Sequence, residues 1–83
     1  MFSERFGKPV RLTDHAIKRM RERDIDMDIL LDMLDNGTIN FKDEAHFWAF
    51  KAYSDRSDNM LCAAAIDGEV IIVKTVMHYF SEA

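Results

Sequence analysis

The sequence predicts an α+β domain: an N-terminal helical hairpin packed on a three- to four-stranded antiparallel meander sheet. Three observations predict it. Apolar residues recur at helical spacing in two consecutive segments between Thr13 and Gly37. Beyond Gly37 the pattern becomes short runs rich in aromatic and β-branched residues. Two of those runs flank Asp67-Gly68, a strong hairpin signal. Helices on one face of such a sheet make a stable two-layer arrangement. The 83 residues suffice for a single domain over 1–83, with the informative motifs in 11–79.

The elements follow in order. Pro9 precedes the first helix, and "PVRLT" has the character of a short strand leading into it. Thr13 and Asp14 are both suitable N-caps. At about 100° per residue, Ala16, Ile17 and Met20 form the buried stripe. His15, Arg19 and Arg23 then line one flank, while Lys18, Arg21 and Glu22 lie farther round. The second helix starts at Asp26, with Asp28 near its positive end. Ile29, Leu30, Met33 and Leu34 are its apolar face, and Gly37 is placed for a left-handed cap. "TINF", "AHFWAFKAY", "NMLCAAAI" and "EVIIVKTVMHYF" are the strands, with "SDRSDN" a loop and Asp67-Gly68 a type I′ turn. In the last strand simple alternation puts Val70, Ile72, Lys74, Val76, His78 and Phe80 on one face.

Composition narrows the function classes. Net charge is −4, yet residues 1–23 carry seven basic and three acidic residues and the remainder four basic and twelve acidic. A uniformly basic nucleic-acid binder is excluded; a local basic patch is not. The single cysteine, Cys62, excludes an internal disulfide and suits a reducing compartment. No apolar run approaches the roughly 20 residues of a membrane helix, and "MFSERFGKPV" has no apolar signal core. The expectation is a cytoplasmic protein without membrane partners.

His15, His46, His78 and Cys62 show no close-pair ligand spacing, so no metal is expected, and nothing marks a cofactor. Cys62 in "MLCAAAI" reads as a buried thiol. His46 lies among aromatics and reads as a packing residue. Trp48 or Phe50 can stack a base only if one sheet face is left uncovered. What remains is histidine and arginine chemistry. RNA carries its own nucleophile, the 2′-hydroxyl; a protein must take its proton, steady the phosphorane and hold the leaving oxygen. Histidine serves near neutral pH, and arginine grips phosphate oxygens through a planar fork. His15, Arg19 and Arg23 are candidate catalytic residues on the helix, with Thr75 and His78 opposite on the strand. Lys18 and Lys74 are candidate RNA contacts. The alternative is a solvated helix face whose arginines pair with nearby acids.

"LTDHAIKRMRERDIDMDILLDMLDNG" resembles the opening of a bacterial family of small uncharacterised proteins, with the pattern L-T-x-H-A-x-x-R-M-x-E-R-G-I. "DGEVIIVKTVMHYF" resembles the same family's closing hairpin, which ends in V-x-T-V-Y. That family is grouped with RelE/ParE-like toxins, among barnase-, EndoU- and colicin-like ribonucleases. The resemblance implies a RelE-like helical hairpin followed by an antiparallel sheet. It also implies metal-independent, toxin-like RNA cleavage and a cognate antitoxin partner. The matching positions are His15, Arg19, Glu22, Arg23 and Thr75. Two positions depart: Asp24 stands where the pattern has glycine, and Met77 where it has tyrosine. The acidic balance is unlike ribosome-dependent cleavers. A non-catalytic partner-binding module on the same fold is the second expectation, and a self-associating domain pairing through its sheet edge the third.

Overall fold

The structure, a computed structural model, describes residues 1–80. It corrects the expected architecture. The sheet has six strands and is mixed, and the two helices sit in the middle of the chain rather than at its start. The elements run β1 (Phe2–Ser3), β2 (Lys8–Leu12), α1 (Asp14–Glu22), α2 (Met27–Asn36), β3 (Thr38–Phe41), β4 (His46–Ala52), β5 (Met60–Asp67) and β6 (Ile71–Tyr79). Their order across the sheet is β1-β2-β6-β5-β4-β3. β2 pairs parallel to β6, with Val10 opposite Ile71 and Leu12 opposite Val73. The other pairings are antiparallel. The strand expected at "PVRLT" is present as β2, but a meander reading leaves it out of the sheet because its partner β6 lies near the other end of the sequence, and it misses β1. β1 is only two residues long, and Gly7 makes the β1–β2 turn with φ +65°.

β6 is therefore central, and its bare half needs a cover. β2 ends at Leu12, so the later carbonyls of β6 lose a strand partner. α1 takes over that edge. The Thr13 backbone N–H donates to Val73 O at 3.1 Å, and the Thr13 hydroxyl donates to Lys74 O at 2.9 Å. The same hydroxyl accepts the Ala16 N–H at 3.1 Å, so Thr13 caps the helix and ties it to the strand at once. At the far end Arg23 Nη1 donates to Val76 O.

Simple alternation along β6 also fails. Ala64 faces Thr75 and Ala65 faces Val73, which leaves Lys74 as the extra residue of a bulge. One extra residue flips the faces beyond it. Ile71, Val73 and Val76 are thus all fully buried, and Val76 joins the core with residues it should not share a side with.

The core joins Ala16, Met20 and Ile25 to Leu30, Met33 and Leu34 of α2 and to Phe47, Ala49, Leu61, Ala63 and Val73 of the sheet. Ile17 and Ile29, placed in the buried stripes by periodicity, are only half-buried. Asp26 caps α2 by accepting the Ile29 N–H at 2.9 Å. The N-terminal hairpin curls round to meet α2 and β4. Ser3 Oγ donates to Asp35 Oδ1 at 2.5 Å, and Phe6 stacks on Phe47 with ring centroids 4.9 Å apart.

Two turn expectations change with the structure. Gly37 is extended (φ −78°, ψ 178°), not left-handed. Its glycine is needed for close approach instead: a Cβ there would lie 2.4 Å from Met33 O and 2.7 Å from Phe50 O. Gly68 has no positive φ, and the β5–β6 connection spans 68–70 rather than a two-residue type I′ turn. Asp24, in the pattern's glycine position, does take φ +52°, alone among the described non-glycine residues.

Candidate functional site

One cleft gathers groups able to do chemistry. It lies where the end of α1, the β4–β5 loop and the end of β6 meet. Glu22, Arg23, Asp24, Arg56, Ser57, Asp58, His78 and Phe80 line it, around about 420 Å³.

The loop builds it from within. The Tyr53 N–H donates to Asn59 O at 2.8 Å, which closes the loop's neck. Arg56 then folds back on its neighbour. Its Nε donates to Asp58 Oδ1 at 2.7 Å and its Nη2 to Oδ2 at 2.9 Å, a two-pronged pair. The same guanidinium reaches the last turn of α1, donating to Arg23 O at 2.7 Å and Asp24 O at 2.8 Å. It supplies a cation and donors where a helix end is electronegative and its carbonyls are orphaned. Every nitrogen of Arg56 is thereby occupied, so its role is to hold the loop and the helix together.

Asp58 is the centre. Its side chain is 9% exposed, and buried carboxylates need partners. The Arg56 guanidinium holds its carboxyl down at about 2, with help from His78 and against the effect of burial. Asp58 Oδ2 lies 2.9 Å from His78 Nδ1. An ionised carboxylate only accepts, so Nδ1 must carry the proton and Nε2 of the neutral ring is left with a free lone pair. The His78 side chain is 31% exposed. Its ring lies 5.3 Å from the Phe80 ring, which is itself largely exposed. A carboxylate fixing a histidine's tautomer, with the second nitrogen open to a cleft, is a general-base arrangement. Among the described residues Arg23 spends only Nη1, on Val76 O, so Nε and Nη2 remain for an anion.

Of the residues singled out in the sequence, Arg23 and His78 come together here, with Glu22 and Asp24 beside them on the lining. The others stand elsewhere. His15 is exposed on α1 without a hydrogen bond or ion pair among the described residues, and two helical turns, about 12 Å, separate it from Arg23. Arg19 Nη1 pairs with Glu22 Oε2 at 2.8 Å on the surface. Lys18 is exposed on α1 and Lys74 stands in the β6 bulge. Thr75 faces Ala64 on the sheet and turns its hydroxyl to Val76 O at 3.5 Å. Arg56 and Asp58 escaped the sequence reading altogether. Their one signal was an opposite-charge pair two residues apart in a loop, which says nothing of a histidine twenty residues on.

A second polar cluster is structural. Asp32 of α2 accepts from Lys51 Nζ at 2.6 Å, Tyr53 OH at 2.7 Å and Asn36 Nδ2 at 2.8 Å. These bonds, the lysine's first, hold its carboxyl at about 2. It straps α2 to β4. Burial pushes the Cys62 thiol up to about 11, far from a thiolate nucleophile at neutral pH. Among the described residues no three His, Cys, Asp or Glu side chains gather as a metal site. Nor is any described helix long and apolar enough to cross a membrane.

Residues 12–78 match the family described as Domain of unknown function (DUF4258). The match takes in all of α1, the β4–β5 loop and β6 as far as His78. No curated protein and no solved structure matches the chain.

Proposed function

The chain belongs to the DUF4258 family, and we propose that it is a metal-independent endoribonuclease working in the Arg23–Arg56–Asp58–His78 cleft. The observation that carries this reading is the 2.9 Å bond from Asp58 to His78 Nδ1, which leaves Nε2 unengaged on a ring that lines the cleft. In the proposed reaction Nε2 takes the proton of an RNA 2′-hydroxyl. The 2′-oxygen then bonds to phosphorus, and the bond from phosphorus to the 5′-oxygen breaks. The free N–H groups of Arg23 hold the phosphorane oxygens, where charge builds up. The leaving 5′-oxygen takes its proton from solvent, since the cleft is open. The products are a 2′,3′-cyclic phosphate and a 5′-hydroxyl. Resemblance to RelE/ParE-like toxins supports a toxin role in the cytoplasm and an antitoxin partner.

The test is cleavage of labelled RNA by the purified protein in a chelator, with the ends of the products identified. His78→Ala should lower the rate by roughly 10²- to 10⁴-fold, the usual worth of a general base. Asp58→Asn should do comparable damage, because an amide can stabilise the wrong histidine tautomer. Folded wild-type protein that leaves RNA intact would sink the ribonuclease reading. The second reading, a binding module without catalysis, draws on Arg19 being tied to Glu22 rather than aimed at the cleft. It predicts normal partner binding by His78→Ala.

A further inference from the structure

The strands have two faces, and the helices serve only one. α1 packs on β6 and β2, and α2 on β4, β5 and β1. α2 meets the side of β4 that carries Phe47, Ala49 and Lys51, as the Lys51–Asp32 bond shows. The other side of β4 carries His46, Trp48, Phe50 and Ala52, of which only Phe50 is half-buried. Trp48 stands there in mid-strand, 40% exposed.

The register explains its setting. Asn40, Trp48, Ala64 and Thr75 form one row across β3, β4, β5 and β6. Ala64, the smallest side chain of that row, leaves a low floor beside the 40% exposed indole. Asn40, Lys42, Trp48 and Phe50 line a groove of about 430 Å³.

Charge on this face runs against the chain as a whole. Arg11, Lys42 and Lys74 are exposed, and among the described residues none has an ion-pair or hydrogen-bond partner for its side chain. Arg11 shares the row of Ile72 on the bare side, Lys42 lines the groove, and Lys74 projects from the bulge beside Thr75. No strand position on that side is Asp or Glu, and the one acid that reaches it from the β3–β4 turn, Asp43, is paired with His46 at 3.0 Å. The acids Asp28, Asp32 and Asp35 all lie on α2, in the opposite layer. A chain of net charge −4 thus keeps three unpaired cations on the face that carries an exposed aromatic ring, with Lys42 in the ring's own groove.

From this we infer that the bare face binds a single-stranded RNA segment. One base stacks on Trp48, and the phosphates beside it lie along Lys42, Lys74 and Arg11. Stacking accepts any base, whereas the cations need a repeated anion, and an unpaired strand offers both. Four strands about 4.8 Å apart give a platform of the width that seats two or three bases. The choice of RNA over DNA rests on the reading of the cleft; strand binding by this face does not.

The experiment is fluorescence anisotropy of a labelled oligouridylate and of its DNA counterpart at low and rising salt. Wild type, Trp48→Ala, Trp48→Phe, Lys42→Ala and His78→Ala are compared, with circular dichroism to confirm folding. Trp48→Ala should weaken binding by roughly fivefold or more, and Trp48→Phe should keep most of it. Lys42→Ala should flatten the salt slope by about 0.7. Each surface variant is also measured together with His78→Ala, which stops the probe being cut, so a failure of cleavage leaves this inference standing. Wild type that binds no oligouridylate, or Trp48→Ala that binds it unchanged, overturns it. Equal affinity for the DNA strand overturns the choice of RNA. Self-association in sedimentation that Trp48→Ala abolishes would assign the face to a second copy of the chain instead.

Discussion

Asp58 shows how one buried carboxylate can govern a site. It fixes a histidine tautomer, neutralises Arg56 and, through it, anchors the end of α1. Its folded pKa of about 2 lies below an unfolded value near 3.9. A depressed carboxylate adds stability above its unfolded pKa, and loses that share as pH falls through the folded value. The share is about 2 kcal/mol at neutral pH, and it should vanish between roughly pH 4 and pH 2. Urea titrations across that range should show a flatter acid limb for Asp58→Asn than for wild type. Asp24 makes the opposite case, a residue in a conformation that suits another. At φ +52° it should gain from Asp24→Gly, by about 0.5–1 kcal/mol in chemical denaturation. The bond from Arg56 Nη1 is accepted by its backbone carbonyl and survives the change. A loss of stability would mean that the aspartate side chain contributes what the turn geometry does not show.

At the scale of elements, the local signals were readable and the long-range ones were not. Thr13 and Asp26 are the caps that hydroxyl and carboxylate chemistry suggests, and the apolar runs of α2 and β5 are buried. Gly37 shows where local reading stops. A glycine after a helix suggests left-handed geometry, yet here the space is taken by the Met33 and Phe50 carbonyls. Gly37→Ala should therefore cost more than a lost cap, about 2–4 kcal/mol, because backbone must move at both contacts. Thermal unfolding measures it, and a shift of only a degree or two would contradict the crowding. The β6 bulge was equally hidden: a run of Ile, Val, Lys and Thr looks regular until a partner's register adds a residue. The candidate site divides the same way. Arg23 and His78 could be nominated from residue type and spacing. Arg56 and Asp58 could not, since their value comes from a loop folding onto two distant elements.

For the whole molecule, the missing piece was the N-terminal hairpin. It turns a meander with helices into a curled sheet whose β1 edge returns to α2. Arg5 Nη1 on Gly37 O at 2.8 Å and Phe6 on Phe47 secure that return. Ser3 is fully buried there, with its hydroxyl on Asp35. Ser3→Ala leaves the Asp35 carboxylate short of a donor and should cost about 1–3 kcal/mol. Hydrogen exchange should speed up in residues 1–8 before it does in β5 or β6. Uniform loss of protection would mean that the hairpin and the meander open as one unit.

The parallel pairing of β2 with β6 sets an order of events during synthesis. β2 leaves the ribosome early, and the strand that must seat beside it comes about 60 residues later. At usual elongation rates that is a wait of roughly 3–12 s, long compared with helix or hairpin formation. Through that interval Val10 and Leu12 have no sheet to join, while α1, α2 and the β3–β4 ladder can already assemble. The nascent chain therefore spends seconds with its middle organised and its first strand unclaimed, and translation speed across the codons for β5 and β6 becomes a determinant of yield.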